Sequence, residues 1–246
     1  MGRNGKIVAV VVAVVVVVAA GAGAWWFLRD DAPEAVSLET ATESVTSTTA
    51  GSGSATTTGP GGIDGRWSVD TETGAFDYES ATGSFVGFRI DEELVGIGGI
   101  QAVGRTGEVT GELAVEGSEL TVATFTADMA SITTNDRRRD DKVAEALEVG
   151  SFPEAVFSLS TPVPLGPGAA DGERQQATVT GEFTLHGVTR SVEVPVEAQL
   201  VEGTVVVVGS FEVALADYDL EVPSAPIVIS ASDTATIEFQ LLFTRA

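Results

Sequence analysis

The chain has 246 residues, of which 43% are hydrophobic, and a formal net charge of −23. The first acidic residue is Asp30, and three of the 13 basic residues precede it, so the remainder carries 36 acidic against 10 basic residues, a net charge of −26. Such a surface repels nucleic acid, the absence of cysteine excludes disulfides and thiol catalysis, and the single histidine, His186, excludes a multi-histidine metal site within one chain.

The N-terminal segment, residues 7–28, contains no charged side chain and consists mostly of Val and Ala. As a helix rising about 1.5 Å per residue it spans about 33 Å, close to the hydrocarbon thickness of a bilayer. Arg3 and Lys6 precede it, and a basic flank favours the cytoplasmic side. We therefore predict that residues 1–29 form a single-pass transmembrane anchor with the rest of the chain on the outer face of the cell membrane. The alternative is a cleaved signal peptide followed by secretion.

Residues 30–65 are rich in Ser, Thr, Gly and Ala and show no apolar period. A segment of this composition buries too little apolar surface to offset its chain entropy. We predict a flexible linker over residues 30–65 and a folded domain over residues 66–246.

Apolar residues recur at every second position in three segments of this domain, residues 191–200, 204–215 and 235–243. This period is typical of β-strands with one buried face and one wet face, and Glu238 falls on the predicted wet face. Further strands are predicted at residues 85–94, 107–128 (as a hairpin turning at 116–118), 154–160 and 178–185.

One stretch breaks the alternation. Asn135 or Asp136 can cap a short helix that runs to Leu147, and Gly150 is a plausible stop. Eight or nine strands and one helix predict an all-β domain, while the spacing alone leaves a barrel and a two-sheet sandwich both open.

Short motifs occur in a fixed order along the domain. The most specific is VTGEFTLHGVTR at residues 179–190, and the domain opens with WSVD at residues 67–70. The others are FVGFRIDE at 85–92, DMASITTN at 128–135 followed by RRD at 138–140, FPEAVF at 152–157 and DYDL at 217–220. Together these motifs resemble the YceI-like family. Asp219 stands where that family usually has Gly, and residues 91–93 (DEE) stand where many relatives have a His.

The resemblance implies a lipocalin-like, eight-stranded antiparallel barrel with one short helix. It also implies that the barrel holds a long isoprenoid lipid, such as a polyprenyl phosphate or an isoprenoid quinone. We predict no cofactor. We therefore predict binding, sequestration or transport of such a lipid, with apolar inward side chains as the wall of the site. The predicted wall residues are Phe88, Ile90, Phe125, Met129, Phe157, Phe183, Leu185, Phe211, Val213 and Phe239. For any single one of them an ordinary core position is the favoured alternative, because both cases need an apolar inward face.

Arg137, Arg138 and Arg139 form, with Lys142, the basic cluster of an acidic domain. One interpretation is a pyrophosphate clamp at the mouth of the barrel, since arginine forks bind phosphate oxygens well. The other is a solvated helix face paired with neighbouring acidic residues. His186 precedes a glycine and is predicted to be a tight-turn residue, because the chain has no G-x-S-x-G nucleophile elbow.

Two other functions remain open at this point. One is a structural or adhesive surface domain with a filled core and a protein partner. The other is a hydrolase, which would need a carboxylate with a perturbed pKa inside a cleft. We expect a binding protein rather than an enzyme, with no catalytic and no metal-binding residues, and the sequence does not indicate an oligomeric state.

Overall fold

The computed structural model describes residues 32–52, 62–96, 98–135, 137–221 and 228–246. The predicted membrane segment, residues 7–28, lies outside the described residues. Within the described ranges, no helix has the length and apolar character needed to cross a bilayer.

The described chain forms two α-helices, twelve strands and three short 3-10 helices. The α-helices are α1 (Leu38–Ser52) and α2 (Arg137–Ala146). The strands are β1 (Gly65–Val69), β2 (Phe85–Leu94), β3 (Gly98–Thr106), β4 (Val109–Glu116), β5 (Glu119–Asp128), β6 (Glu154–Leu159), β7 (Val163–Pro164), β8 (Gln175–Leu185), β9 (Val188–Val201), β10 (Thr204–Ala214), β11 (Val228–Ala231) and β12 (Thr234–Arg245). The 3-10 helices are Met129–Ser131, Ala169–Asp171 and Leu215–Tyr218.

Eight of the strands close into an antiparallel barrel in the order β1-β4-β5-β6-β8-β9-β10-β12. The ring closes where β12 pairs with β1, from Phe243 opposite Val69 to Arg245 opposite Trp67. Strands β2, β3 and β11 extend one edge of β12, and the short β7 pairs with β5. The predicted eight-stranded antiparallel barrel is thereby confirmed, and the sandwich alternative is excluded.

Two-residue turns connect the long strands β8, β9 and β10, and the residues in these turns explain their geometry. His186 and Gly187 have φ angles of 51° and 74°, and Glu202 and Gly203 have φ angles of 51° and 86°. Two consecutive residues with positive φ make the two-residue turn whose twist matches that of the flanking strands, and glycine favours its second position. The predicted turn at residues 116–118 lies between β4 and β5, as expected.

Helix α1 differs from the prediction of a flexible linker over residues 30–65. Leu38, Ala41 and Val45 lie on one stripe of the helix, and all three are at most 2% exposed. They pack on the outer face of the barrel against Val206, Val208 and Leu242. The sequence-based prediction failed because it relied on the Ser- and Thr-rich composition, although these three residues have the i, i+3, i+7 spacing of a helix face. The sheet supplies the other side of their apolar contact.

The predicted wet face of β12 is also buried. Glu238 is 1% exposed and accepts hydrogen bonds from Arg89 Nε at 2.7 Å and Arg105 Nη2 at 2.8 Å. The carbonyl oxygens of Pro33 and Glu34, just before α1, accept hydrogen bonds from the Nη2 atoms of the two arginines. The prediction of a solvated face was wrong because the segment before β1 covers it. We call residues 32–52 the strap.

Helix α2 agrees with the helix predicted from Asn135 or Asp136 to Leu147. Asp140 Oδ1 accepts both the backbone N–H of Thr134, at 2.6 Å, and its hydroxyl, at 2.7 Å, which ties the first turn of α2 to the preceding chain. Apart from the predicted membrane helix, which lies outside the described residues, one helix was predicted, and the described residues form two because α1 was not foreseen.

Candidate ligand-binding cavity

A cavity of about 160 Å³ lies inside the barrel. Its lining along β8 runs from Gln175 to Phe183, which at about 3.3 Å per residue is a length of about 26 Å. The cavity is therefore an elongated space along the barrel interior.

Small side chains at inward positions leave this space. Alanine stands at several cavity-lining positions, where a larger aliphatic residue would fill the interior. These residues are Ala123, Ala127, Ala155, Ala177 and Ala198.

Aromatic rings form much of the remaining wall. Phe125 and Phe157 are direct cross-strand partners, with ring centroids 6.2 Å apart and planes inclined by 10°. Phe183 and Phe211 make an edge-to-face contact at 5.3 Å. Paired rings of this kind stiffen a wall while presenting an apolar surface to the interior.

Five of the ten predicted wall residues line the cavity, namely Phe125, Phe157, Phe183, Phe211 and Phe239. The other five pack in or against the same core without lining it: Met129, Leu185 and Val213 are buried, and Phe88 and Ile90 are partly buried. Phe88 lies on the inner side of β2, where its ring covers Gly104 of β3, and a Cβ at that glycine would come within 2.5 Å of the ring.

Several lining residues were not among the predicted ten. Trp67 lines the cavity and donates its indole N–H to Ile63 O at 3.0 Å. The alternating face of β9 also contributes Val194, Val196 and Leu200. The alternation of apolar residues in β9 predicted that this face points inward. The predicted wall residues were nevertheless chosen mainly among phenylalanines, so these aliphatic residues were left out.

The end of the cavity beside the loop from β7 to β8 carries its polar lining. Among the described residues only Gln175 and Gln199 line the cavity with polar side chains, and none of the lining side chains is charged. Gln175 accepts the backbone N–H of Gly166 at 2.8 Å, and Gln199 donates to Gly172 O at 3.0 Å. Both amides hold the loop, and its residues Leu165 and Ala169 cover this end.

The opposite end of the barrel is filled by side chains. Met129, Leu185 and Leu215 are buried there and do not line the cavity. Helix α2 lies in the connection between β5 and β6 at this end.

The predicted head-group arginines lie on α2, away from the cavity. Arg137 is exposed, and Arg139 donates to Asn135 Oδ1 at 2.7 Å and lies 4.0 Å from Glu92. The side chain of Arg138 lies outside the described residues. The structure therefore does not bring Arg137 or Arg139 together with the five wall phenylalanines.

His186 occupies the turn between β8 and β9, as predicted. Its Nδ1 lies 3.1 Å from Tyr218 O, and because a carbonyl can only accept, Nδ1 carries the proton. The ring also contacts the edge of Phe152 at 4.6 Å. Burial raises the pKa of Tyr218 above its ordinary value, so this tyrosine stays neutral at physiological pH.

Carboxylates lie outside the cavity wherever the structure describes them. Glu238 is buried on the outer face between two arginines. Glu197 is tied to Arg174, and hydrogen bonds from Arg174 and then Gln176 hold its pKa below the ordinary value. Within the described ranges, no three acidic or histidine side chains are grouped to hold a metal ion.

Comparison with known proteins identifies a family and two similar folds. The family described as "YceI-like domain" matches residues 78–243. A polyisoprenoid binding domain from Saccharophagus degradans, implicated in plant cell wall breakdown, is 19% identical, covers 73% of this chain and 98% of its own, and superposes with a TM-score of 0.54. BcnA from Burkholderia cenocepacia is 20% identical, with coverage of 71% and 98% and a TM-score of 0.52. Comparison with curated proteins gives no match. At these identities the two structures show a shared fold.

Proposed function

This chain belongs to the YceI-like domain family, and on that basis we propose that it binds an isoprenoid lipid inside the barrel and sequesters or transports it. The observation that carries the proposal is the elongated cavity, whose wall is aliphatic and aromatic with two glutamines at one end. A wall of this kind suits a long hydrocarbon chain, because ligand pockets gain affinity from apolar burial and orientation from a few polar groups. The similar fold from Saccharophagus degradans, described as a polyisoprenoid binding domain, supports the same ligand class.

An isoprenoid quinone fits this cavity better than a polyprenyl phosphate. The described lining offers no cation to a phosphate, and burying an uncompensated charge is costly. The end beside the β7–β8 loop is surrounded by exposed carboxylates, at Glu116, Glu119, Asp171, Glu173 and Glu202. Its neighbouring arginines are engaged, Arg174 with Glu197 and Arg66 with Glu112. We therefore favour an uncharged head group.

The proposed place of action is the outer face of the cell membrane. The support for it is the uncharged segment at residues 7–28 with Arg3 and Lys6 before it. An anchored barrel at that surface would take up its lipid close to where isoprenoid lipids reside.

The alternative of a structural or adhesive domain requires a filled core. The alanine-lined cavity disfavours this alternative. An enzymatic role is disfavoured by the absence of Asp, Glu and His from the described cavity lining. Binding is therefore the function that the geometry supports best.

The test is lipid mass spectrometry of the full chain purified from its native membrane, compared with the variant Ala177→Phe. Ala177 lines the cavity on β8, and a phenylalanine there would occupy the space of the lipid chain. The matched control is Thr178→Phe, because Thr178 is the next residue on the same strand and is exposed.

We expect an isoprenoid lipid to accompany the wild-type chain and Thr178→Phe. In Ala177→Phe the recovered lipid should fall about tenfold or more, since each loss of roughly 1.4 kcal/mol raises the dissociation constant tenfold and a ring in the lipid's space removes more than that. Near-ultraviolet circular dichroism would show that both variants stay folded. A wild-type chain free of lipid, or equal lipid in all three proteins, would overturn the proposal.

A further inference from the structure

A second cleft lies in the side wall of the barrel, between β9 and β10. The ladder between these strands runs from Thr204 opposite Val201 to Gly209 opposite Val196 and ends there. Beyond that point β9 continues along β8 to Val188 and β10 continues along β12 to Ala214. The two strands therefore separate while both remain part of the sheet, and a space of about 560 Å³ lies between them.

Pro195 explains why the ladder ends where it does. The next pair in register would join Ser210 to Pro195. The carbonyl oxygen of Pro195 points at Gly209 of β10, 2.7 Å from the position of a Cβ there. In a strand the N and O of one residue point to the same edge, so the nitrogen that lacks a hydrogen also faces β10.

Like charges oppose closure further along. If the register continued, Glu212 would stand opposite Glu193, and both side chains are exposed. Two carboxylates directly across a ladder are destabilising. The sequence thus keeps β9 and β10 apart by a missing donor and by charge repulsion.

Phe211 connects the cleft with the interior. It is the one residue, among those described, that lines both the cleft and the interior cavity. Its ring is partly buried and rests edge-to-face on Phe183, which belongs to the cavity wall. A rotation of this single side chain would join the two spaces.

Side chains cover both ends of the barrel, which is why an entrance through the side wall is of interest. One end is covered by Leu165 and Ala169 of the loop before β8, and the other is filled by buried Met129, Leu185 and Leu215. A parting of the side wall would give a long lipid a route to the cavity that avoids both ends.

We propose that the cleft between β9 and β10 is a lateral portal for an uncharged isoprenoid lipid, with Phe211 as its gate. This inference rests on the proposed function. The floor of the cleft is apolar, at Val192 and Val213, and suits an isoprenoid chain in passage. Its rim carries Glu193, Glu212 and Asp217 against Arg190, whose Nε donates to Asp217 O, so an anionic head group would be repelled on entry.

The experiment closes the portal covalently and measures exchange. The chain has no native cysteine, so the double variant Glu193→Cys/Glu212→Cys can be bridged across the cleft with a short bis-maleimide. The control double variant, Ser158→Cys/Glu182→Cys, bridges a directly paired position on the outer face of β6 and β8, where the ladder is intact.

The readout is quenching of Trp67, which lines the cavity, by a short-chain ubiquinone in stopped flow. Because the chain has three tryptophans, Trp25→Phe and Trp26→Phe are added to all proteins, which are studied as full chains in nanodiscs. Bridging the cleft should slow both association and dissociation by about tenfold or more, as expected when a gating motion is blocked. The equilibrium Kd should stay within about threefold, because affinity depends on the end states rather than on the route.

The outcomes separate the two proposals. Normal quenching with unchanged rates in the bridged protein would overturn the portal and leave the binding function standing. No quenching in any unbridged protein would overturn the binding function itself. A slowing in the β6–β8 control equal to that in the cleft variant would also overturn the portal, since stiffening anywhere would then suffice.

Discussion

Three charged side chains on the outer wall of the barrel are buried almost completely. Glu238 lies between Arg89 and Arg105, so the group has one positive charge in excess. Gln101 Oε1 and the carbonyl oxygens of Pro33 and Glu34 accept further hydrogen bonds from the two guanidinium groups. Buried ions are tolerated only when their hydrogen bonds are made, so this group and the strap depend on each other.

Replacing the central carboxylate should therefore be strongly destabilising. In Glu238→Gln the side chain keeps its size, but two buried guanidinium groups lose their counter-ion. We expect the free energy of unfolding to fall by about 3–5 kcal/mol, measured by urea denaturation. Glu182→Gln, at an exposed position on β8, should change it by less than about 0.5 kcal/mol. Equal small effects in both variants would show that Glu238 is solvated in solution.

At the level of single residues, the wall of the cavity was only partly predictable. Alternation placed Phe125, Phe157 and Phe239 correctly on the inner face. It could not tell which inward residues border an empty space and which meet other side chains, as Leu185 does. That distinction depends on what stands opposite each residue across the barrel, which no local period contains.

Helix α1 lies outside the part of the chain that matches the family, as does strand β1. The family match begins at residue 78, whereas α1 ends at Ser52. Its sequence is rich in Ser and Thr, which are poor helix formers, and a helix of 15 residues is marginal in isolation. Its stability must therefore come from the contact of Leu38, Ala41 and Val45 with the sheet.

Breaking that contact should release the helix from the barrel. Val45 is 1% exposed against the outer face of β10, and in Val45→Asp a charge would replace it. We expect amide hydrogen exchange across α1 to approach that of an unfolded peptide, because docking rather than propensity maintains the helix. The barrel amides should stay protected. Thr46→Asp, one residue further and exposed, should leave exchange in α1 nearly unchanged, and release of α1 in both variants would contradict this account.

The elements themselves were predictable to different degrees for physical reasons. Strands β10 and β12 and helix α2 follow from strong local patterns, because one face of each meets the core. Strand β3 was not predicted, since its sequence GGIQAVGRT combines three glycines with mixed polarity. Helix α1 and the burial of Glu238 were both missed for one reason. The helix is stabilised by the outer face of the sheet, and that face is buried by the strap, so neither follows from its own local sequence.

At the scale of the whole molecule, the interior and the exterior of the barrel differ in charge. The interior wall is uncharged wherever it is described, and the exterior carries most of a net charge of −23. This separation suits the apolar ligand proposed for the cavity, and the acidic exterior repels other acidic surfaces. The same charge also works against compactness, because carboxylates held close together repel one another.

Salt should therefore stabilise the protein. Raising NaCl from about 0.01 M to about 0.5 M shortens the Debye length from about 30 Å to about 4 Å and screens this repulsion. We expect the melting temperature to rise by a few degrees, about 1 kcal/mol of stability for a domain of this size. The buried pairs of Glu238 are insensitive to salt and do not oppose the trend.

Substituting glutamine for exposed acids around one end of the barrel, Glu116, Glu119, Glu173 and Glu202, should reduce the salt dependence. A melting temperature that falls with salt would instead mean that surface pairs such as Arg174–Glu197 outweigh the repulsion.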